Sequence, residues 1–152
     1  MKVQRILWPT DFSENAAKAL PYVQSLSEKY QTEVHVLYVL KDYGEWGASY
    51  GEHQPEDFEK MRRWEKEMAE RRLDEVCEKF LNSCPLYIRH VAVGDPVQEI
   101  LKIIEKEDVD LVVMASRGSE GHFDVGSVAQ KLLQCSTVPV VTIPAAPEDS
   151  MI

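Results

Sequence analysis

The stretch Val109-Asp110-Leu111-Val112-Val113-Met114-Ala115 is apolar at six of its seven positions and rich in β-branched side chains. It lacks the apolar–polar alternation of a strand with one wet face, so it predicts a strand covered on both sides. Four more short runs of similar character occur along the chain: Val3 to Trp8, closed by Pro9; Val34 to Leu40 (VHVLYVL); Tyr87 to Val93; and Val138 to Ile143 (VPVVTI). Strands buried on both faces belong to parallel sheets, whose crossovers lay helices over each face.

Helical stretches fill the intervals. Asn15 to Tyr30 places Ala16, Ala19, Leu20, Val23 and Leu26 on one face. Ser13 or Asp11 is placed to cap it, and Pro21 inside the pattern predicts a kink or a weak first turn. Glu56 to Leu81 carries Met61, Trp64, Met68, Leu73, Val76 and Phe80 among many charges. Met61, Trp64 and Met68 read as core packing or a dimer contact. Val97 to Glu107 begins after Pro96, a residue suited to a helix start. Ser127 to Cys135 is the last helix. The result is a βα alternation with five strands and a three-layer α/β architecture. Residues 1–152 read as one domain, without an internal repeat. Lys41 to Pro55 (KDYGEWGASYGEHQP) holds three of the chain's seven glycines and three aromatics, and reads as a mobile loop.

Composition narrows the function. Over 152 residues, 44% apolar and 28% charged content is that of a globular domain able to bury its own core. A net charge of −9 argues against a nucleic-acid partner, because phosphate backbones attract basic faces. No apolar run approaches the ~18 residues of a membrane span, and no signal peptide is visible, so a cytoplasmic location is expected. Cys77, Cys84 and Cys135 form no CxxC pair, which predicts free buried thiols and no intrinsic metal. His35, inside an apolar run, reads as a core histidine with its hydrogen bonds satisfied.

Several ordered segments then carry a resemblance. Ile6-Leu7-Trp8-Pro9-Thr10-Asp11-Phe12-Ser13, Val93-Gly94-Asp95-Pro96, Asp110 to Gly118, and Gly126 to Lys131 followed by Val138-Pro139-Val140-Val141 resemble the signatures of the universal stress protein family. The likeness spans nearly the whole chain. It implies an adenine-nucleotide alpha-hydrolase-like fold with strand order 3-2-1-4-5, and a ligand crevice where that order reverses, between the carboxyl ends of strands 1 and 4.

Nucleotide-binding members of that family carry a G-x2-G-x9-G-[ST] loop after strand 4, whose backbone N–H groups receive phosphates. Here the first glycine falls on Ala115, the second on Gly118 and the closing pair on Gly126-Ser127. Ala115 brings a Cβ to a position of close backbone approach. Seven residues separate Gly118 from Gly126 instead of nine, a loss of about 7 Å of reach. Gly121 supplies an additional glycine in the shortened loop. The resemblance further implies nucleoside contacts at Pro9, Asp11 and Val39, and phosphate contacts at Gly118, Gly121, Gly126, Ser127 and Val128. For Asp11 a capping or Asx-turn role stands beside ligand contact.

Two functions follow from the resemblance. One is a stress-response binding and signalling module with a weak site for AMP, ADP or ATP, Mg accompanying ATP. The other is a dimeric interaction protein with a closed loop and no nucleotide. An ATPase ranks last, at most a very slow one, since no general base or arginine finger is identifiable. Arg117, His122 and Asp124 read as solvated loop residues, and no catalytic residue is assigned. The strand in 138–144, at the sheet edge in this order, predicts a homodimer, with further protein partners unspecified.

Overall fold

The computed structural model describes residues 2–41, 55–80, 86–116 and 125–144. Its strands are β1 (Arg5–Pro9), β2 (Glu33–Leu40), β3 (Leu86–Val93), β4 (Leu111–Ala115) and β5 (Val140–Ile143). Every pairing is parallel and the order is β3-β2-β1-β4-β5, as the resemblance implied. The register sets Arg5 opposite Glu33, Ile6 opposite Leu111, and Glu33 opposite Leu86. The expected loop over 41–55 lies almost wholly outside the described residues.

Among the described residues five helices connect the strands: α1 (Glu14–Ala17), α2 (Leu20–Tyr30), α3 (Pro55–Phe80), α4 (Pro96–Lys106) and α5 (Val125–Cys135). The expected first helix is in fact two pieces. The Ser13 hydroxyl accepts the Ala16 N–H at 3.0 Å and caps α1, so Ser13, not Asp11, is the N-cap. Pro21 falls in the first turn of α2, where its missing N–H costs no hydrogen bond, and the break precedes it. Asp95 caps α4 in the same manner as Ser13, accepting the Gln98 N–H at 3.0 Å, with Pro96 at the first helical position.

β1, β2 and β4 are buried almost throughout, and Ile6, Leu7, Val36, Leu37, Val112 and Val113 form the centre of the core. Burial on both faces holds for these three strands only. β3 and β5 are edges with one neighbour each, and they are largely half-exposed. Arg89 on β3 exploits that position, pairing with Asp74 of α3 at 2.8 Å.

α3 corrects a second expectation. Its buried residues are Ala69, Leu73 and Cys77, with Val76 partly covered. Met61, Trp64 and Met68 face outward, Trp64 at 61% exposure, which excludes core packing and leaves the dimer contact as the reading of these three. No described residue in the N-terminal half of this 26-residue helix is fully buried. Of the thiols, Cys77 is buried as expected, whereas Cys135 is exposed; Cys84 lies outside the described residues.

Candidate functional site

In a parallel sheet all carboxyl ends share one edge. β1 and β4 are neighbours there, with Leu7 opposite Val112, and the order reverses between them. β1 hands the chain to α1, while β4 leads towards α5 over the opposite face. In an open α/β sheet such a reversal is where a ligand crevice is expected.

The β1 exit is fixed by a chain of short local hydrogen bonds. Thr10 N–H donates to Leu37 O at 2.9 Å, which keeps the exit beside β2. Thr10 Oγ1 accepts the Phe12 N–H at 3.0 Å, and Asp11 Oδ1 accepts the Ser13 N–H at 2.9 Å. Asp11 thus makes the Asx turn allowed for it, and it is 1% exposed. Between them Phe12 adopts φ 64°, a left-handed backbone that a bulky residue rarely takes. Its ring packs against Tyr38, at 4.4 Å between centroids, and under the Arg72 guanidinium, at 4.2 Å. Strain of this kind, held by surrounding contacts, concentrates at functional turns. Phe12 escaped the sequence reading; the signal was its place between Asp11 and Ser13, where a turn glycine would be the usual residue.

At the β4 exit, Ala115 pairs with Ile143, and Ser116 N–H donates to Ile143 O at 2.9 Å. Pro9, Val39 and Ala115 are all buried strand-end residues on this edge. α5 returns the chain to a parallel strand, so its N-terminus lies on the same edge. Gly126 is half-exposed, Ser127 exposed and Val128 buried. Ser127 and Val128 fall among the first four residues of α5, whose N–H groups have no acceptor within a helix. Pro9, Asp11, Val39, Ala115, Gly126, Ser127 and Val128 are thus gathered on one edge. Gly118 and Gly121, with Arg117, His122 and Asp124, lie outside the described residues.

Behind the β1 exit a cleft of about 190 Å³ opens between α1, α2 and α3, lined by Thr10, Phe12, Ser13, Arg72 and Glu75 among others. It sits on the face of Trp8, whose Nε1–H donates to Ala16 O at 3.2 Å, and so lies away from α5. Among the described residues no cluster of His, Cys, Asp or Glu is arranged to hold a metal ion. Nor is any described helix long and apolar enough to cross a membrane.

A five-stranded parallel sheet of this order, with helices on both faces, defines the adenine-nucleotide alpha-hydrolase-like fold. The family model for the universal stress protein family matches residues 2–144, and the chain belongs to that family. It is 29% identical over 153 aligned positions to the universal stress protein MJ0577 of Methanocaldococcus jannaschii, covering 92% of this chain and 94% of that one. The solved structure of MJ0577 superposes with a TM-score of 0.81 over 97% of this chain and 100% of its own, at 26% identity. Two more distant structures share the fold. A universal stress protein in complex with cAMP has a TM-score of 0.65 at 14% identity, over 96% of this chain and all of that one. One from Archaeoglobus fulgidus in complex with dAMP has 0.63 at 19%, over 94% and 99%.

Proposed function

We propose that this chain is a stress-response binding module whose crevice between β1 and β4 takes an adenine nucleotide weakly, and which works as a homodimer in the cytoplasm. The observation that carries the reading is the convergence of the strained Asp11–Phe12 turn and the first turn of α5 on one sheet edge. The backbone at Pro9 and Val39 borders a base, Asp11 is an acceptor for a ribose hydroxyl, and Ser127 and Val128 are donors for phosphate. Relatives of the same fold that bind cAMP and dAMP support an adenosine monophosphate group as the ligand class. β5, an edge strand carrying the exposed Val141, is the surface offered to a second copy. Free thiols such as Cys77 suit a reducing compartment.

Titration calorimetry with AMP tests the nucleotide site, with Ser127→Asp as control. Aspartate in a helix's first turn favours the helix but repels a phosphate. Saturable binding lost in Ser127→Asp, with the fold intact, supports the reading; no binding by the parent chain overturns it.

The interaction-protein reading draws on one observation of its own. The Asp11 carboxylate is buried and already holds the Ser13 N–H, which is the state of a turn closed without a ligand. The same titration separates the two.

A further inference from the structure

Glu33, His35 and His90 form a hydrogen-bonded chain that the nucleotide reading does not use. His35 on β2 is 0% exposed, and its two ring nitrogens are both engaged. Nε2 lies 2.8 Å from Glu33 Oε1, and Nδ1 lies 2.8 Å from Nε2 of His90 on β3. The rings are near-parallel, 14° between planes and 5.1 Å between centroids. The carboxylate can only accept, so His35 Nε2 carries a proton. In the neutral pair His35 Nδ1 is therefore the acceptor and His90 Nε2–H the donor. A single added proton keeps the bond between the rings, since whichever ring is charged can still donate to the other. A second is not, because two N–H groups would then face each other across 2.8 Å.

We propose that the His35–His90 pair is an acid-sensitive latch that holds the edge strand β3 on β2 while His90 is neutral, and loosens as His90 takes up a proton. Among the described residues β3, like β5, has one neighbour, so it can part from the sheet without breaking a second strand pairing. The charged groups around the pair come from every element packed on it. Arg5 of β1 stands 3.8 Å from the Glu33 oxygen that His35 engages. Lys106 and Glu107, at the end of α4, act on His90 with opposite signs. Burial first, then His35, hold His90 below its ordinary value of 6.5, with Lys106 lowering and Glu107 raising it. An opened strand frees His90 to titrate normally, so the open form binds more protons, and closure weakens as pH falls below 6.5.

Opening would reach the candidate site. β3 runs directly into Gly94, whose N–H donates to Leu40 O at 3.0 Å, next to Val39. His35 and Val39 are about 13 Å apart along the same strand.

Hydrogen exchange from pH 7.5 to 5.5, corrected for the intrinsic rate, tests the latch. β3 amides should lose protection severalfold, up to about tenfold at pH 5.5, while β4 amides stay unchanged. In His90→Gln the amide Nε2 still donates to His35 but does not titrate, so protection at neutral pH should persist and the acid response vanish. An unchanged response in His90→Gln, a pH-independent β3, or β3 and β4 rising together would each overturn the proposal. Imidazole NMR on the parent chain is a second measurement that needs no variant. His90 should be Nε2-protonated at pH 7.5 and take up its proton below 6.5; uptake at or above 6.5 would also refute the latch.

Discussion

The Asp110 carboxylate accepts the backbone N–H of Arg5 at 2.9 Å, across 105 residues of sequence, and the same Oδ2 accepts the Gln4 N–H at 2.9 Å. It anchors the entry of β4 to the entry of β1, the two strands flanking the candidate crevice. Arg5 O in turn accepts the Asp110 N–H at 2.9 Å. Asp110→Ala removes two charge-assisted bonds at a partly solvated site, and a loss of about 1–3 kcal/mol is expected in urea unfolding. An unchanged midpoint would show that water replaces the carboxylate without loss.

Gly94 turns β3 into α4 at φ 144°, a conformation that side chains rarely adopt. A Cβ there would sit 2.9 Å from Glu99 Oε1. The Glu99 side chain is flexible and can move, so the cost comes from the backbone. Gly94→Ala should destabilise by roughly 1–3 kcal/mol. Adding Glu99→Ala should recover little of it; full recovery would place the cost in the contact instead.

The strands and helices were legible because burial on both faces leaves an apolar run that periodicity detects, whereas the strand order came from the resemblance alone. Periodicity does not mark the edges, since β3 and β5 are apolar enough to look central; the implied order put them there, and the pairing bears it out. Asp110 was read as a member of the strand it in fact precedes. Met61, Trp64 and Met68 were left between core and dimer contact for a related reason. Their spacing is helical, but which stripe of a 26-residue helix meets the sheet depends on where the helix crosses it. At the candidate site the strand-end residues were readable from ordered signatures, whereas Phe12 was not, because a positive φ at a bulky residue leaves no trace in composition. The satisfied state of His35 was foreseen, but its partner was not. His90 lies 55 residues away, and the β2–β3 register brings it within reach.

Dimerisation through β5 makes a separable prediction. Val141 is 38% exposed on a strand with one open edge. Val141→Lys places a charge on that edge and should convert a sedimenting dimer into a folded monomer. A parent chain that sediments as a monomer at micromolar concentration would remove this surface from the functional reading.

The nucleotide prediction turns on loop length. Seven residues between Gly118 and Gly126, against nine in the family's nucleotide-binding pattern, shorten the span by about 7 Å. Ala115 adds a Cβ at the loop's start. In the proposed site both changes would act on the phosphates farthest from the nucleoside, whereas Asp11, Val39 and the first turn of α5 would act on the nucleoside and its nearest phosphate. A charge-assisted hydrogen bond contributes about 1.5–3 kcal/mol, so each contact missing from the β- or γ-phosphate removes roughly what would otherwise favour ATP tenfold or more. AMP, ADP and ATP are therefore expected to bind within about tenfold of one another by calorimetry. Gly126→Val, which crowds the backbone at the start of α5, should weaken all three together and leave the circular dichroism spectrum unchanged. ATP binding more than about a hundredfold tighter than AMP would mean that the short loop still wraps a triphosphate, and the argument from its length would fail.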